Sequence, residues 1–283
     1  MTLSALNDEI ILQALKEDAY KNDVTTRWLV PHNKTSEGYI LLKEDAVLCG
    51  LGLAKNVFKK LDPRVQFKTA YRDGQKAKRY TKIVFLKGKT SALLTGERTA
   101  LNFLAHLSGI STHTYRFMQK IRPYKTAILD TRKTTPGLRE LEKYAVRCGG
   151  GMNHRHNLEE MILIKDNHRK TFLNFHLLTE AVAHLKKKTH KPVVVEINNL
   201  NQFKQILKAL PDIILLDNMR LSQIKQAVKI VNALPPRRPL LEASGGINLN
   251  NVKQIAQTGV DRISIGALTH THEAINLSME IIK

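Results

Sequence analysis

The sequence contains little cysteine, few aromatic residues and no long apolar run. Its two cysteines, Cys49 and Cys148, lie far apart and fit no metal-ligand spacing, so a reducing cytoplasmic compartment is the simplest expectation. No apolar stretch is long enough to cross a bilayer, which argues against a helical membrane protein. The N-terminal segment has the spacing of an amphipathic helix, and its acids Asp8 and Glu9 argue against a signal or transit peptide.

Acidic residues are also scarce relative to basic ones. The chain has 45 Lys and Arg against 25 Asp and Glu, which gives a formal charge of +20. This charge favours anionic partners such as nucleic acid, a membrane surface or phosphorylated small molecules. A single Trp and an aromatic content of 6% offer nucleic acid few stacking platforms. Lysine-rich stretches at 186–188 and 204–229 are also typical of solvated helix faces, so charge alone does not identify the partner.

The first part of the chain mixes helical and strand patterns. Apolar residues have helical spacing at 3–20 and 89–109. Strand-like runs lie between them at 37–42, 65–71 and 82–87. The segment 273–283 is expected to form a short terminal helix that packs back on this part. The sequence therefore predicts an N-terminal α/β domain over residues 1–111, with the helix 273–283 attached, and a second domain over 112–272.

From about residue 112 short apolar runs alternate with helical segments. The runs lie at 127–129, 161–164, 193–197, 213–216, 240–243 and 262–265, and the helices at 138–147, 172–187, 202–210, 222–232 and 250–258. This alternation is the signature of right-handed βαβ units and a parallel sheet. Six or seven units favour an incomplete TIM-like α/β barrel. A doubly wound open sheet is the alternative.

Glycines follow the last two predicted strands. Ser244, Gly245 and Gly246 end one strand and are expected to lead into a helix capped by Asn248 or Asn250. Gly266 ends the next strand. Barrels often bind phosphate at these two loops, where glycine lets backbone N–H groups approach the anion. The structural alternative is a pair of ordinary turns that need a positive φ.

Two carboxylates, Glu196 and Asp217, each follow an apolar strand. Such hard oxygens bind Mg²⁺, which bridges to substrate phosphates and keeps several waters. Either acid taken singly could instead cap a helix or lie on the surface.

Basic side chains lie at other predicted strand ends, in a glycine-rich loop and, in the case of Arg98, in the middle of the otherwise apolar predicted helix at 89–109. These are Arg98, Arg132, Lys133, His154, Arg155 and Lys165. His154 and His156 lack a third ligand for zinc, so an anion site is the better interpretation of that loop. His270 and His272 are similarly interpreted as a loop rather than a metal site. The cations outnumber what one phosphate requires, which suggests a dianionic or polycarboxylate second substrate.

The motifs together resemble one known family over about residues 20–272. They are Glu97-Arg98-Thr99-Ala100-Leu101-Asn102 with Leu107-Ser108-Gly109-Ile110, then 130–139, 143–147, 149–155, 164–168, 215–219 and 244–247. Through these motifs the sequence resembles the quinolinate phosphoribosyltransferases, which are also called carboxylating nicotinate-nucleotide pyrophosphorylases. The resemblance implies a pentosyltransferase of NAD biosynthesis. This enzyme would convert quinolinate and phosphoribosyl pyrophosphate to nicotinate mononucleotide, pyrophosphate and CO₂ with Mg²⁺.

The resemblance also implies an N-terminal α/β sandwich, an incomplete barrel and a homodimer with shared active sites. In that scheme Arg98, Arg132, His154, Arg155 and Lys165 hold the quinolinate carboxylates. Lys133, Glu196 and Asp217 are the catalytic residues: Lys133 lies near the pyrophosphate or the reacting centre, and the two acids lie near the ribose hydroxyls and Mg²⁺. Ser244, Gly245, Gly246 and Gly266 hold the sugar phosphate.

The chain departs from the family pattern at three positions. Lys43 stands where many members have Arg, so the cation donated across the dimer is a weaker bidentate partner for a carboxylate. Val194 and Asn198 stand where the family often has acids.

Two other functions are weighed against this one. An enzyme of the same fold could use nicotinate, or belong to the related group encoded beside molybdate transporters; the extra cations favour a dicarboxylate. A nucleic-acid-binding protein is the alternative from another class, and the concentration of basic residues at the predicted barrel mouth argues against it.

Overall fold

The structure, a computed structural model, describes residues 3–235 and 238–282. The chain divides into two compact units. The N-terminal unit comprises Met1–His113, Arg147–Gly150 and His272–Lys283, and the barrel unit comprises Thr114–Val146 and Gly151–Thr271. Sequence periodicity gives no reason to group Arg147–Gly150 with the N-terminal unit.

The secondary structure follows the predicted alternation closely. The helices are α1 (Leu3–Glu17), α2 (Val24–Leu29), α3 (Leu51–Leu61), α4 (Thr90–Ile121), α5 (Arg139–Cys148), α6 (Asp166–Arg169), α7 (Phe175–Lys188), α8 (Leu200–Ile206), α9 (Leu221–Asn232), α10 (Val252–Ala256) and α11 (Ala267–His270). The strands are β1 (Thr35–Leu42), β2 (Ala46–Val47), β3 (Gln66–Lys68), β4 (Lys76–Ala77), β5 (Lys82–Lys89), β6 (Ala127–Leu129), β7 (Ile162–Ile164), β8 (Val193–Ile197), β9 (Ile213–Asp217), β10 (Leu240–Ser244), β11 (Arg262–Ser264) and β12 (Leu277–Ile281).

The N-terminal unit is built on an antiparallel sheet in the order β12-β1-β5-β3, with β2 and β4 paired separately. Every second residue of β1 is buried, from Ser36 to Leu42. This alternation is typical of a strand with one face on the core and one toward solvent.

The predicted terminal helix at 273–283 is wrong. Residues Leu277–Ile281 form β12, which pairs antiparallel with β1. Apolar residues at 275, 277, 279 and 281 recur with the strand period of two, a pattern that outweighs the helical interpretation. Gly38 permits the pairing, because a Cβ there would lie 2.5 Å from the carbonyl oxygen of Glu280.

The barrel unit contains a parallel six-stranded sheet in the order β6-β11-β10-β9-β8-β7. The first strand lies beside the last, so the sheet curls toward closure, and among the described strands β6 and β7 do not pair. Met152 partly fills this seam through a parallel bridge to Leu129. The predicted fold class, an N-terminal α/β domain with an incomplete barrel, is confirmed. The doubly wound alternative is wrong, because the strand order does not reverse direction at a switch point.

The central strands are apolar on both faces, as buried parallel strands are. In β8 the residues Val193, Val194 and Val195 are fully buried, and in β9 so are Ile214 and Leu216. All carboxyl ends of the strands meet at one edge of the barrel, where polar residues follow them. Within residues 3–235 and 238–282, the helices are too short or too polar to cross a membrane.

Candidate active site

A cavity of about 730 Å³ opens at the carboxyl ends of the barrel strands. All its lining residues belong to the barrel unit. They include Arg132, Lys133, His154, Arg155, Lys165, Glu196, Asp217, Ser244, Gly245, Gly246 and Gly266, together with Asn218, Glu242 and His270. The structure therefore brings together the cations, the carboxylates and the glycines that the sequence analysis selects in this part of the chain.

Arg98 and Lys43 belong to the N-terminal unit. Arg98 is exposed on α4, and Lys43 is exposed just after β1. Their assignment to quinolinate stays a prediction. Val194 is fully buried in β8, and Asn198 is exposed after that strand.

Two guanidinium groups converge on the cavity from different loops. Arg132 follows β6, and Arg155 lies in the loop that leads to β7. Burial lowers the pKa of Arg155, and the nearby charge of Arg132 lowers it further. One η nitrogen of Arg155 donates to the carbonyl of Met161 at 2.9 Å, whereas the buried Nε of Arg132 has no hydrogen-bond partner among the described residues. Two such cations lining one cavity make a site for a bound anion.

His154 is fixed by contacts to all its polar groups. Its backbone N–H donates to Asp130 Oδ1 at 2.8 Å, and its carbonyl accepts from Lys143 Nζ at 2.8 Å. The Nδ1 atom accepts from the N–H of Arg155 at 2.8 Å, and Nε2 lies 3.4 Å from Oε1 of Glu242. The ring is thereby held at the wall of the cavity in a single orientation.

Glu242 is a fully buried carboxylate in the wall of the same cavity. The parallel register places it beside Arg262, whose Nε lies 3.1 Å from Oε2. Burial by itself raises the pKa of Glu242, but contacts with His154, Arg262 and Ser264 outweigh it and hold that pKa below its ordinary value. Glu242 thus stays ionised and contributes a fixed negative charge next to His154.

The two predicted metal-binding carboxylates follow adjacent strands. Burial raises the pKa of Glu196, and the neighbouring charge of Asp217 raises it further. Glu196 Oε1 accepts from the backbone N–H of Asp166 at 3.2 Å. Two carboxylates that repel one another favour a bound cation between or near them. In the described residues no three His, Cys, Asp or Glu side chains form a metal cluster. The pair suits Mg²⁺, which binds through one or two carboxylates, waters and substrate oxygens.

The backbone conformation of the turn after β10 requires glycine at two positions. Gly245 has a φ of +90° and Gly246 a φ of +60°. A Cβ on Gly245 would lie 2.3 Å from the side-chain oxygen of Asn218, whose own backbone N–H donates to the carbonyl of Ser244. This close packing leaves the loop backbone as the surface that faces the cavity.

The helix predicted directly after this turn begins later than expected. The structure starts α10 at Val252, after Asn251. The side-chain oxygen of Asn248 accepts from the N–H groups of Asn250 and Asn251 at 2.9 and 3.3 Å. This local turn competes with helix formation, so neither Asn248 nor Asn250 is the cap.

The side chains of Lys133 and His270 both lie next to Gly266. A Cβ at Gly266 would lie 2.9 Å from Cδ of Lys133 and 3.0 Å from Nε2 of His270. The hydroxyl of Thr269 donates to the carbonyl of Lys133 at 2.7 Å and holds its loop. Gly266 therefore leaves room for a cation and an imidazole beside the predicted phosphate loop.

Sequence reasoning missed the residues that support these groups. They are Lys143, Glu242, Arg262 and Asn218, whereas Asp130 belongs to the motif 130–139 and His270 is interpreted from the sequence as a loop residue. A signal existed for Glu242, which is the one charge inside the apolar run 240–243. The partnership of Lys143 with Asp130 has no such signal, because it depends on where α5 packs.

Comparison with known proteins assigns both parts of the chain to the same family. The family described as "Quinolinate phosphoribosyl transferase, N-terminal domain" matches residues 23–108, and the corresponding C-terminal domain family matches residues 110–280. A probable carboxylating nicotinate-nucleotide pyrophosphorylase of Synechocystis is 38% identical over 98% of this chain and 92% of its own. The carboxylating enzyme of Mycobacterium leprae is 37% identical over 96% of each chain.

A solved structure gives the same result in three dimensions. The nicotinate-nucleotide pyrophosphorylase from Francisella tularensis is 38% identical and superposes with a TM-score of 0.91, covering 100% of this chain and 98% of that one. The order of helices and strands, the residues that line the cavity and these similarities all indicate the same family. The chain belongs to the quinolinate phosphoribosyltransferase family.

Proposed function

We propose that this chain transfers the phosphoribosyl group of phosphoribosyl pyrophosphate to the nitrogen of quinolinate. The products are nicotinate mononucleotide, pyrophosphate and CO₂, and the reaction is a step of NAD biosynthesis. The observation that carries the substrate assignment is that Arg132 and Arg155 line one cavity and lie close enough for the charge of Arg132 to lower the pKa of Arg155. An aromatic acid with adjacent carboxylates matches two forked donors better than a monocarboxylate does.

The cavity divides into two chemically different sides under this proposal. Arg132, Arg155 and Lys165 bind the carboxylates of quinolinate, and His154 lines the same side of the cavity, with its ring nitrogens toward Arg155 N–H and Glu242. Ser244, Gly245, Gly246 and Gly266 bind the 5′-phosphate through their backbone. Glu196 and Asp217 bind the ribose hydroxyls, and they would hold Mg²⁺, which neutralises charge on the pyrophosphate when bound.

The chemistry follows from these positions. The pyridine nitrogen attacks the anomeric carbon as the bond to pyrophosphate breaks, and the sugar acquires oxocarbenium character. Lys133 stabilises the negative charge that develops on the departing pyrophosphate. The positive charge of the new pyridinium nitrogen then stabilises the electron pair that stays on C2 as the 2-carboxylate leaves as CO₂, and a proton from water completes nicotinate mononucleotide at C2. The protein contributes mainly orientation and fixed charge.

The proposal includes a homodimer in which Lys43 of one subunit reaches the cavity of the other, and in which Arg98 adds a further contact to quinolinate. The exposure of both cations on the N-terminal unit supports it. Coexpression of Lys43→Ala with Lys133→Ala tests the sharing. Mixed dimers should regain activity that neither parent has, because one cavity of each would be intact. No recovery from demonstrated mixed dimers would contradict a shared site.

The decisive assay measures CO₂ release from carboxyl-labelled quinolinate. Release should require phosphoribosyl pyrophosphate and Mg²⁺, and Arg132→Leu should reduce kcat/KM by about 100-fold or more, since it removes a bidentate carboxylate partner. Nicotinate provides the second arm, because it carries one carboxylate. Turnover of nicotinate equal to that of quinolinate would contradict the assignment of the paired guanidiniums.

A further inference from the structure

Four of the basic side chains that line the cavity lie on two loops outside the helices and strands. Residues 130–138, here called the first loop, carry Arg132 and Lys133 between β6 and α5. Residues 151–161, the second loop, carry His154 and Arg155 and lead to β7. Precise binding of a rigid dicarboxylate requires that the two loops keep a fixed separation.

One side chain of α5 connects the two loops. Lys143 Nζ donates to Oδ1 of Asp130 at 2.5 Å and to the carbonyl of His154 at 2.8 Å. The same Asp130 oxygen accepts from the N–H of His154 at 2.8 Å. Both Lys143 and Asp130 have no exposed side-chain surface. One buried ion pair thus binds both the backbone N–H and the backbone carbonyl of His154.

Other residues of α5 reinforce the same two loops. Arg139 donates from Nε to the hydroxyl of Thr134 in the first loop and from an η nitrogen to the carbonyl of His156 in the second. Glu142 accepts from the N–H of Thr135 at 3.2 Å. Lys143 makes its contacts at the beginning of the first loop and at His154 from a fully buried position.

Stability alone does not account for this pair. Burial raises the pKa of Asp130 and lowers the pKa of Lys143, so each group is disfavoured in its charged form by its surroundings. Apolar residues of similar volume often replace buried ion pairs without loss of stability. The directional contacts are what an apolar pair could not reproduce.

The contacts also determine the state of the imidazole. Because the N–H of Arg155 must donate, Nδ1 of His154 is an acceptor, and the ring proton stays on Nε2. The direction of the ring is therefore fixed by the backbone of the second loop. Arg155 is the next residue, so a shift of the His154 peptide would displace both groups.

We propose that Asp130 and Lys143 are positioning residues that hold the two cationic loops in register for the aromatic dicarboxylate. This rests on the proposed function for the identity of the substrate. The ion pair touches neither substrate itself. Its loss should weaken quinolinate binding most and phosphoribosyl pyrophosphate binding less, because on these two loops only Lys133 is assigned to the pyrophosphate, whereas the glycine loops belong to other strands.

The test uses the double variant Asp130→Asn/Lys143→Met, which removes both charges and keeps an oxygen acceptor for His154 N–H. Lys143→Met alone removes the buried cation beside the Asp130 carboxylate and can fail to fold, so the double variant is decisive. Lys120→Met, an exposed lysine on α4, is the matched control. The probe is phthalate, an aromatic ortho-dicarboxylate without the ring nitrogen, and its binding is measured by calorimetry on the full-length protein.

We expect the folded double variant to bind phthalate about 100-fold more weakly, with an equal rise in KM for quinolinate and a rise in KM for phosphoribosyl pyrophosphate that is at least about tenfold smaller. Nitrogen NMR should show the His154 ring losing its single tautomer. Wild-type phthalate affinity in a folded double variant would overturn the proposal. If the wild-type protein binds phthalate but does not release CO₂ from quinolinate, the proposed function fails while the positioning role is still tested by phthalate.

Discussion

The two halves of the barrel interior are filled differently. Under β7, β8 and β9 the interior is apolar, and it consists of Met161, Leu163, Val194, Ile213 and Leu215. Under β10 and β11 it contains the adjacent charges of Glu242 and Arg262, with His154 beside them. The apolar half leads directly to Glu196 and Asp217, two residues further along the strands. The charged half supports loop residues instead.

This difference corresponds to how each functional group is anchored. Glu196 and Asp217 stand at the ends of strands whose ladders already fix the backbone, so packing beneath them is sufficient. His154 and Arg155 stand on a loop, which needs directional contacts to hold one conformation. Charge in the barrel is therefore placed where secondary structure does not provide rigidity.

The largest expected effect comes from removing Glu242. Glu242→Leu leaves Arg262 without its buried partner and should lower the free energy of unfolding by about 3–5 kcal/mol. Urea denaturation measures this. Since the folded pKa of Glu242 lies below its ordinary value, its contribution is complete at neutral pH and is lost as the pH falls through that lowered pKa.

Two control variants show whether the loss of stability comes from the unpaired charge. Glu242→Leu/Arg262→Leu should recover most of the lost stability, because no unpaired charge remains. Glu180→Leu, which removes an exposed acid that pairs with His176, should cost less than about 1 kcal/mol. A Glu242 variant as stable as the Glu180 variant would show that the charged half does not depend on its pairing.

Val194 tests the apolar half from the opposite direction. Val194→Glu introduces the type of residue that the resemblance leads one to expect at this position, yet here it would meet Ile213, Leu215 and their neighbours. An unpaired carboxylate there should cost about 2–4 kcal/mol, while Val194→Thr should cost about 1 kcal/mol. Thermal and urea unfolding measure both. Wild-type stability of Val194→Glu would mean that a cation reaches this depth and that the two halves are not distinct.

The sequence is sufficient to predict the strands but not their partnerships. Apolar runs such as 193–197 and 213–216 are short, bounded by polar residues and rich in β-branched side chains, so β8 and β9 are found almost to the residue. The same logic finds Glu196 and Asp217, because a polar residue after each run must lie at the common edge. This reasoning fails at β12, where the apolar residues recur at every second position, as in a strand, but the short segment is interpreted as a helix.

Contacts between distant residues could not be predicted. The ion pair of Glu242 and Arg262 requires the register of β10 against β11. Likewise Cys49 and Cys148, distant in sequence, meet in the N-terminal unit, where the neighbouring thiol and burial both raise the pKa of Cys49. Such pairs depend on packing angles and registers that local patterns do not contain.

The smallest expected effect concerns Glu196, at the end of the apolar half. Its pKa is raised by burial and by Asp217, so the folded state binds its proton more tightly than the unfolded state does. Stability attributable to this group therefore falls as the pH rises from its ordinary pKa through the raised one. Glu196→Gln should stabilise the protein at pH 7, on the order of 0.5 kcal/mol, with no gain at pH 3. It should also reduce kcat, because a carboxylate assigned to the ribose and Mg²⁺ is lost. Thermal unfolding at the two pH values measures the gain, and a variant less stable than wild type at pH 7 would show that the apolar half supports Glu196 as a favourable charge rather than a strained one.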